Sequence, residues 1–181
     1  MKDQIIVKFA ETEDEFAQVH KLNYETFVEE IPQHETNNRK VLVDKLHDKN
    51  KYIVALFQGE LLGMVAINDQ RPFSLDLKIP QIEEHLPAFN KALEIRLLSV
   101  KPTRRGGKVF FLLAKKIVEW GYDLNFNLVL ISGTTRQIKL YEKIGFSSFY
   151  KLIGKEDAFY QPMYLDVNKF IESYGEKFRI D

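Results

Sequence analysis

The sequence predicts one α/β domain, and three observations carry that prediction. Segments with strand periodicity alternate with segments of helical periodicity along the whole 181-residue chain. No repeat, low-complexity tract or linker interrupts them, so residues 1–181 read as a single domain. Near the middle, Glu94 to Leu113 reads as a strand stopping at Pro102, a basic loop with two glycines, and an apolar helix from Val109. Such a loop aims the free N–H groups and the dipole of the helix N-terminus at an anion. Glycine admits close approach to a phosphate, and arginine adds forked charge. A phosphate-bearing ligand is therefore expected there.

The elements follow in order. Ile5 to Phe9 is a short strand. Thr12 and Glu15 form a capping-box pair ahead of a helix to about Phe27, with Phe16, Val19, Asn23 and Phe27 on one face. Glu29 to Thr36 is a turn broken by proline, and Asn38 to Asp48 is read as a second helix. Tyr52 to Phe57 and Leu61 to Ile67 flank Gln58-Gly59-Glu60 and form a β-hairpin. The long connection Asn68 to Ala92 contains Pro72, Pro80 and Pro87. Connections of that length inside a compact domain are commonly lids or binding loops. Leu93 to Val100 is the strand before the anion loop. The helix after the loop runs to about Trp120, with Phe110, Leu113, Ile117 and Trp120 as its buried stripe and Gly121 at its end. Leu128 to Ser132 is a buried strand. Thr134 with Gln137 resembles a capping box opening a short helix to Lys143, which Gly145 ends. Strands at Ser147 to Ile153 and Phe159 to Val167 precede a helix from Asn168 to about Phe178.

Composition narrows the function. The 26 basic and 26 acidic residues cancel, which argues against nucleic acid or an anionic membrane as partner. The absence of cysteine removes thiolate ligands, disulfides and a cysteine nucleophile. The four histidines include no H-x-x-x-H pair, so no metal is expected. No apolar run approaches membrane-spanning length, and no signal-peptide stretch opens the sequence. A cytoplasmic protein without membrane insertion is expected, as monomer or homodimer.

Two motifs carry a resemblance to a known family. Leu98-Ser99-Val100-Lys101-Pro102 is followed by Arg104-Arg105-Gly106-Gly107-Lys108-Val109, and Leu140-Tyr141-Glu142-Lys143-Ile144-Gly145-Phe146 comes later. Together with the element order, they resemble the GNAT superfamily of N-acetyltransferases over nearly the whole chain. The resemblance implies the acyl-CoA N-acyltransferase fold, a mixed central sheet flanked by helices. Arg104 starts the family's Arg-x-x-Gly motif and places Leu112-Leu113 at its leucine pair. Val109 stands where the family has a small residue, and one residue, Thr103, separates Pro102 from Arg104 where the family commonly has two. Asn23 to Glu30 and Glu94-Ile95-Arg96 are similar to the branch of N-acyl amino acid synthases and autoinducer synthases, which move longer acyl chains, often from acyl carrier protein.

What the resemblance implies is an acyltransferase that takes acetyl-CoA or another acyl-CoA as donor and a small amine as acceptor. The pyrophosphate would sit on the N–H groups of Arg105 to Phe110, with Arg104, Arg105 and Lys108 adding charge. The pantetheine arm would pair with the main chain of Leu98, Ser99 and Val100, and Thr134 replaces the family's asparagine. Tyr141 matches the tyrosine that protonates the leaving thiolate. Glu94, four residues before Leu98, lies at the offset of a general base; the other reading of it is an ion pair with Arg96. At period two, Glu94, Arg96 and Leu98 share a face. Glu29, Glu30 and His34 fall where the family builds its acceptor pocket, and the acidic pair suits a cationic amine. Tyr24 and Phe27 line that pocket or the core. Arg71 and Asp76 are candidates to contact substrate from the long connection, and Arg96 is placed on the substrate side. Two alternatives stay open: a long-chain N-acyltransferase fed by acyl carrier protein, and a non-catalytic acyl-CoA-binding regulatory domain.

Overall fold

The computed structural model describes residues 4–178. Its strands are β1 (Ile6–Phe9), β2 (Lys51–Phe57), β3 (Glu60–Asn68), β4 (Ala92–Val100), β5 (Leu128–Thr134), β6 (Ser147–Ser148) and β7 (Tyr160–Asp166). Its α-helices are α1 (Glu13–Tyr24), α2 (Lys108–Asp123), α3 (Ile138–Ile144) and α4 (Val167–Phe178). The strands form one mixed sheet in the order β1-β2-β3-β4-β5-β7-β6. β4 and β5 run parallel from Ala92 opposite Leu128 to Ile95 opposite Ile131, whereas β1–β2, β2–β3, β5–β7 and β6–β7 are antiparallel. No helix among the described residues is long and apolar enough to cross a membrane.

Two compact units divide the chain. One holds the residues up to Ile67 together with Leu97–Val118; the other holds Asn68–Arg96 and the chain from Glu119 on.

In the first unit the capping box forms as expected. Thr12 Oγ1 accepts from the Glu15 amide at 3.2 Å, and the Glu15 carboxylate accepts from the amides of Thr12 and Glu11. Val19 and Leu22 then pack on Tyr52, Val54, Leu61, Met64 and Ala66. The β2–β3 hairpin closes through Gln58 and Gly59, both left-handed at φ 52° and 82°, the geometry that matches strand twist in a two-residue turn. The expected helix over Asn38 to Asp48 is absent, and the segment is a series of turns. Lys40 is left-handed at φ 51°, and the Asp44 carboxylate accepts from the Leu46 amide and from Asn50 Nδ2. Local side-chain bonds of this kind compete with the helical ladder.

α1 ends at Tyr24, and the chain continues as a π-helix over Glu25–Glu30, closed by the Ile31 amide on the Thr26 carbonyl at 2.9 Å. α2 carries its tightest contacts on Val109 and Leu113, while Phe110, Ile117 and Trp120 are only half-buried. Val109 is accommodated by Gly63 of β3. A Cβ at Gly63 would lie 2.8 Å from Val109 Cγ1 and 3.0 Å from the Ser99 carbonyl oxygen.

In the second unit the long connection is packed. Phe73, Leu75, Ile79 and Ile82 join Ala92, Leu128, Leu130 and Tyr160 in a buried cluster. Gly121 lies inside α2, facing Leu93, and does not end the helix; the left-handed residue after it is Asn125 at φ 57°. Thr134 makes no capping bond, and a 3-10 turn over Thr135–Gln137 leads into α3. The strand expected from Ser147 to Ile153 is reduced to Ser147–Ser148 and one bridge between Ile153 and Tyr160.

Two outcomes are expected. Gly63→Ala should destabilise the protein by about 1–3 kcal/mol in urea unfolding, because the new methyl overpacks a filled site. Adding Val109→Ala should recover part of the loss, since the Ser99 carbonyl remains in the way. The second concerns His20. Its Nδ1 is buried without a partner, its ring lies 4.8 Å from that of His47, and burial followed by the His47 charge lowers its pKa. The unfolded chain therefore takes the proton first. Stability should be flat above the ordinary histidine range and fall as pH drops through it. His20→Asn should flatten that slope when thermal midpoints are compared from about pH 8 to about pH 5.5.

Candidate active site

The anion loop is built by local sequence. Pro102–Arg104 form a single 3-10 turn, and the Arg104 amide donates to the Lys101 carbonyl at 2.8 Å. Gly107 is left-handed at φ 91°, a conformation that disfavours a side chain. α2 starts immediately afterwards at Lys108. Side chains at Gly106 or Gly107 would meet no atom within 4 Å, so the backbone ahead of the 16-residue helix is open on that side. Arg104 and Lys108 are exposed.

Arg105 differs from these two. Its Nη1 donates to Glu30 Oε1 at 2.8 Å, its Nη2 donates to Glu30 Oε2, and its Nε donates to the Val100 carbonyl at 3.0 Å. The Glu30 carboxylate raises the guanidinium pKa further. Arg105 and Glu30, with Leu22, Glu25, Thr26, Glu29 and Pro102, line an open cavity of about 390 Å³. Lys40 lies 3.8 Å from Glu29. Tyr24 and Phe27 do not line this cavity. Both are buried, and the Tyr24 hydroxyl accepts from the Asn37 amide at 3.3 Å.

On β4, Leu98 and Val100 are half-buried and Ser99 is buried, with no partner for its hydroxyl. Leu97 is left-handed at φ 53°. This residue breaks the strand alternation, so the period-two placement of Leu98 on the face of Glu94 and Arg96 does not carry across it.

The second unit holds the remaining candidates. Glu94 is completely buried. Its Oε1 accepts from Ser74 Oγ at 2.6 Å and from the Leu75 amide at 3.1 Å. Its Oε2 accepts from the Ser74 amide at 2.8 Å and lies 3.6 Å from Arg96 Nε. Three donors thus bind the two oxygens, and the Arg96 guanidinium faces Oε2 as a charge beyond hydrogen-bond distance. Burial raises the Glu94 pKa, against the opposing pull of the Ser74 bonds and Arg96. The Tyr160 hydroxyl is buried without a partner, and burial with the Glu94 charge pushes its pKa up to about 12. Arg71 is engaged by Asp76 and Glu83, and Asp76 also accepts from the Phe73 amide at 2.6 Å. Arg71 and Asp76 thus brace their own loop.

Tyr141 lies over Gly133, where a Cβ would come within 2.9 Å of its ring, and makes an edge contact with Phe146. Burial raises its pKa, and a hydrogen bond with the Thr134 side chain opposes the shift. The hydroxyl therefore keeps its proton above the usual tyrosine range. Thr134 serves Tyr141 here and caps no helix.

Sequence reasoning missed Gly63, Ser74 and Glu25. Gly63 left a signal, because an isolated glycine inside a strand marks close approach. Ser74 left none, being 20 residues from the carboxylate it binds.

Glu94→Ala is expected to cost about 3–5 kcal/mol, because it strands the buried Ser74 and Leu75 donors that the carboxylate accepts from. Urea unfolding gives the loss. Faster amide exchange at Leu75 than at β5 would locate it.

A model of the acetyltransferase (GNAT) family matches residues 16–146. No curated protein matches the sequence. Among solved structures, the CoA-dependent acyl-homoserine lactone synthase BjaI, with SAM and isopentyl-CoA, superposes with a TM-score of 0.77 at 16% identity, covering 97% of this chain and 90% of that one. The AHL synthase LasI gives 0.72 at 17% identity, covering 96% of each chain. FeeM, an N-acyl amino acid synthase from uncultured soil microbes, gives 0.70 at 12% identity, covering 94% of each.

Proposed function

The chain belongs to the GNAT acetyltransferase family, and we propose that it transfers an acyl group from acyl-CoA to the primary amine of a small metabolite or amino-acid-like acceptor, by direct attack in a ternary complex. The observation that carries this reading is the open Gly106–Gly107 backbone ahead of α2, flanked by exposed Arg104 and Lys108. Such a place would offer a diphosphate the N–H groups that a helix start leaves without intrahelical partners, the helix dipole and two cations. The pantetheine arm is assigned to the main chain of Leu98 to Val100 by strand addition.

In the reaction the amine nitrogen bonds to the thioester carbonyl carbon and the carbon–sulfur bond breaks. The nitrogen releases a proton to water, Tyr141 gives its proton to the departing thiolate, and the tyrosinate takes a proton back from water, which closes the balance. The raised pKa of Tyr141 keeps its proton in place until the thiolate forms. Glu94 is assigned a supporting part: held by three hydrogen bonds from Ser74 and Leu75 and facing the Arg96 charge, it anchors the 73–76 turn and is not assigned the acceptor's proton. The acidic side chains Glu25 and Glu29 favour a cationic acceptor on the cavity side of the π-helix.

The BjaI structure carries isopentyl-CoA, and a donor longer than acetyl is the expectation for this chain as well.

Acetyl-CoA and a branched short-chain acyl-CoA should each raise the melting temperature, by mass action on the folded state. Holo acyl carrier protein in the same titration should not. Tyr141→Phe should retain the CoA-induced shift and lose about 10²–10⁴-fold in turnover over a panel of amines. A shift with carrier protein alone would move the donor assignment. A CoA shift together with unchanged turnover in Tyr141→Phe would remove the acid role.

A further inference from the structure

We propose that Arg105 is a positioning residue that holds the π-helix through Glu30, and that it is not a ligand of the donor phosphates. This rests on the reading of the 104–109 loop as the donor loop, and it divides the labour of that loop between neighbouring cations.

The geometry of Arg105 is the reason. Guanidinium presents five N–H groups in a planar fork. Both oxygens of Glu30 take the two arms of the fork, and the Val100 carbonyl takes Nε. Three of the five donors thus point at protein acceptors fixed by two different segments. A phosphate could take at most the two remaining N–H groups, and a forked grip on it would cost Arg105 its bidentate charge-assisted pair with Glu30. Arg104 and Lys108, on either side, are exposed and carry the same charge at no such cost.

The partner segment needs holding. Glu30 is the last residue of the π-helix Glu25–Glu30. Helices with i→i+5 bonds are rare and short, and they recur at functional sites. Here the i→i+5 bond from the Ile31 amide to the Thr26 carbonyl ends the segment beside Glu30. The pair is partly exposed, with side-chain exposures of 42% and 35%, so it contributes little to global stability. What it does fix is position. Arg105 and Glu30 both line the cavity that also presents Glu25, Thr26 and Glu29. The same guanidinium ties the end of β4, through Val100, to that wall. A bound donor and the shape of the cavity are thereby linked through one side chain, with Glu30 neutralised by Arg105, Glu29 facing Lys40, and Glu25 adding negative charge to the lining.

The test compares wild type, Arg105→Gln, Arg105→Lys, Arg104→Gln, Glu30→Gln and the swap Arg105→Glu/Glu30→Arg, using free CoA as probe. Two quantities are read: the CoA Kd by calorimetry at two salt concentrations, and amide exchange at Ile31. Arg105→Gln and Glu30→Gln should each speed Ile31 exchange by about tenfold while leaving the CoA Kd within about twofold. Arg105→Lys should rescue exchange only in part, since a point charge cannot replace the fork. The swap should restore protection. Arg104→Gln should weaken CoA by about tenfold and leave Ile31 unchanged. A tenfold weaker CoA Kd in Arg105→Gln, with a shallower salt dependence, overturns the proposal, as does unchanged Ile31 exchange in both single variants. If wild type fails to bind CoA, the donor reading falls, and the Ile31 arm still decides whether Arg105 holds the π-helix.

Discussion

A fully buried carboxylate at the start of β4 is the constraint around which the second unit is arranged. Desolvating Glu94 costs several kcal/mol unless its oxygens are met by donors. The chain meets them with Ser74 and Leu75, taken from the middle of its longest connection. That requirement turns residues 68–91 from a potential lid into a packed element. Once Ser74 and Leu75 are fixed, Phe73, Leu75 and Ile79 fall into the apolar cluster with Leu128 and Leu130. Arg71, Asp76 and Glu83 then close the outside of the same turn. The raised pKa of Glu94 is the residue of this compromise, since burial outweighs the donors that surround the group.

The first unit rests on a steric match. Val109 is too large for a site that normally takes a small side chain in this family, and Gly63 removes the Cβ that would collide with it. The two departures from expectation cancel, which is how cores tolerate change when total volume is kept. Because the match occurs one residue after Lys108, it sets how α2 leaves the loop. The glycine positions 106 and 107 just ahead of the helix stay uncrowded while Val109 in its first turn is locked into the core. An unusual residue inside the motif is thus a packing solution and carries no information against anion binding.

Much of the architecture was legible because it depends on local patterns. The hairpin at Gln58-Gly59, the Thr12 capping box and the strand–loop–helix at 94–113 are each determined by residues close in sequence. The segment 38–48 was misread because its helical pattern is overridden by Asp44 and Asn50, whose side chains bond backbone and each other. The face shared by Glu94 and Leu98 failed on one dihedral angle, at Leu97, which no pattern of residue types announces. Of the candidate site, the anion loop and Tyr141 could be placed from motifs. The ion pair of Glu94 with Arg96, two residues on, could also be read, but its partner Ser74 and the partner Glu30 of Arg105 could not, since they lie 20 and 75 residues away and arise only when the chain folds.

The loop itself illustrates why charge counts mislead at anion sites. Arg104, Arg105 and Lys108 look equivalent in sequence, three cations around two glycines. Structure separates them by what else each can reach. Arg105 follows the Pro102 turn at a point where its side chain meets the last carbonyl of β4 and the last carboxylate of the π-helix together. A fork that binds two oxygens of one carboxylate gains direction as well as energy, and a residue so committed acts on ligands through the walls it holds. Arg104 and Lys108 keep exposed, solvated charge, which suits the diphosphate proposed for this loop. Committed cations shape a site and uncommitted ones can fill it, and the proposal gives this short loop one of the first kind and two of the second.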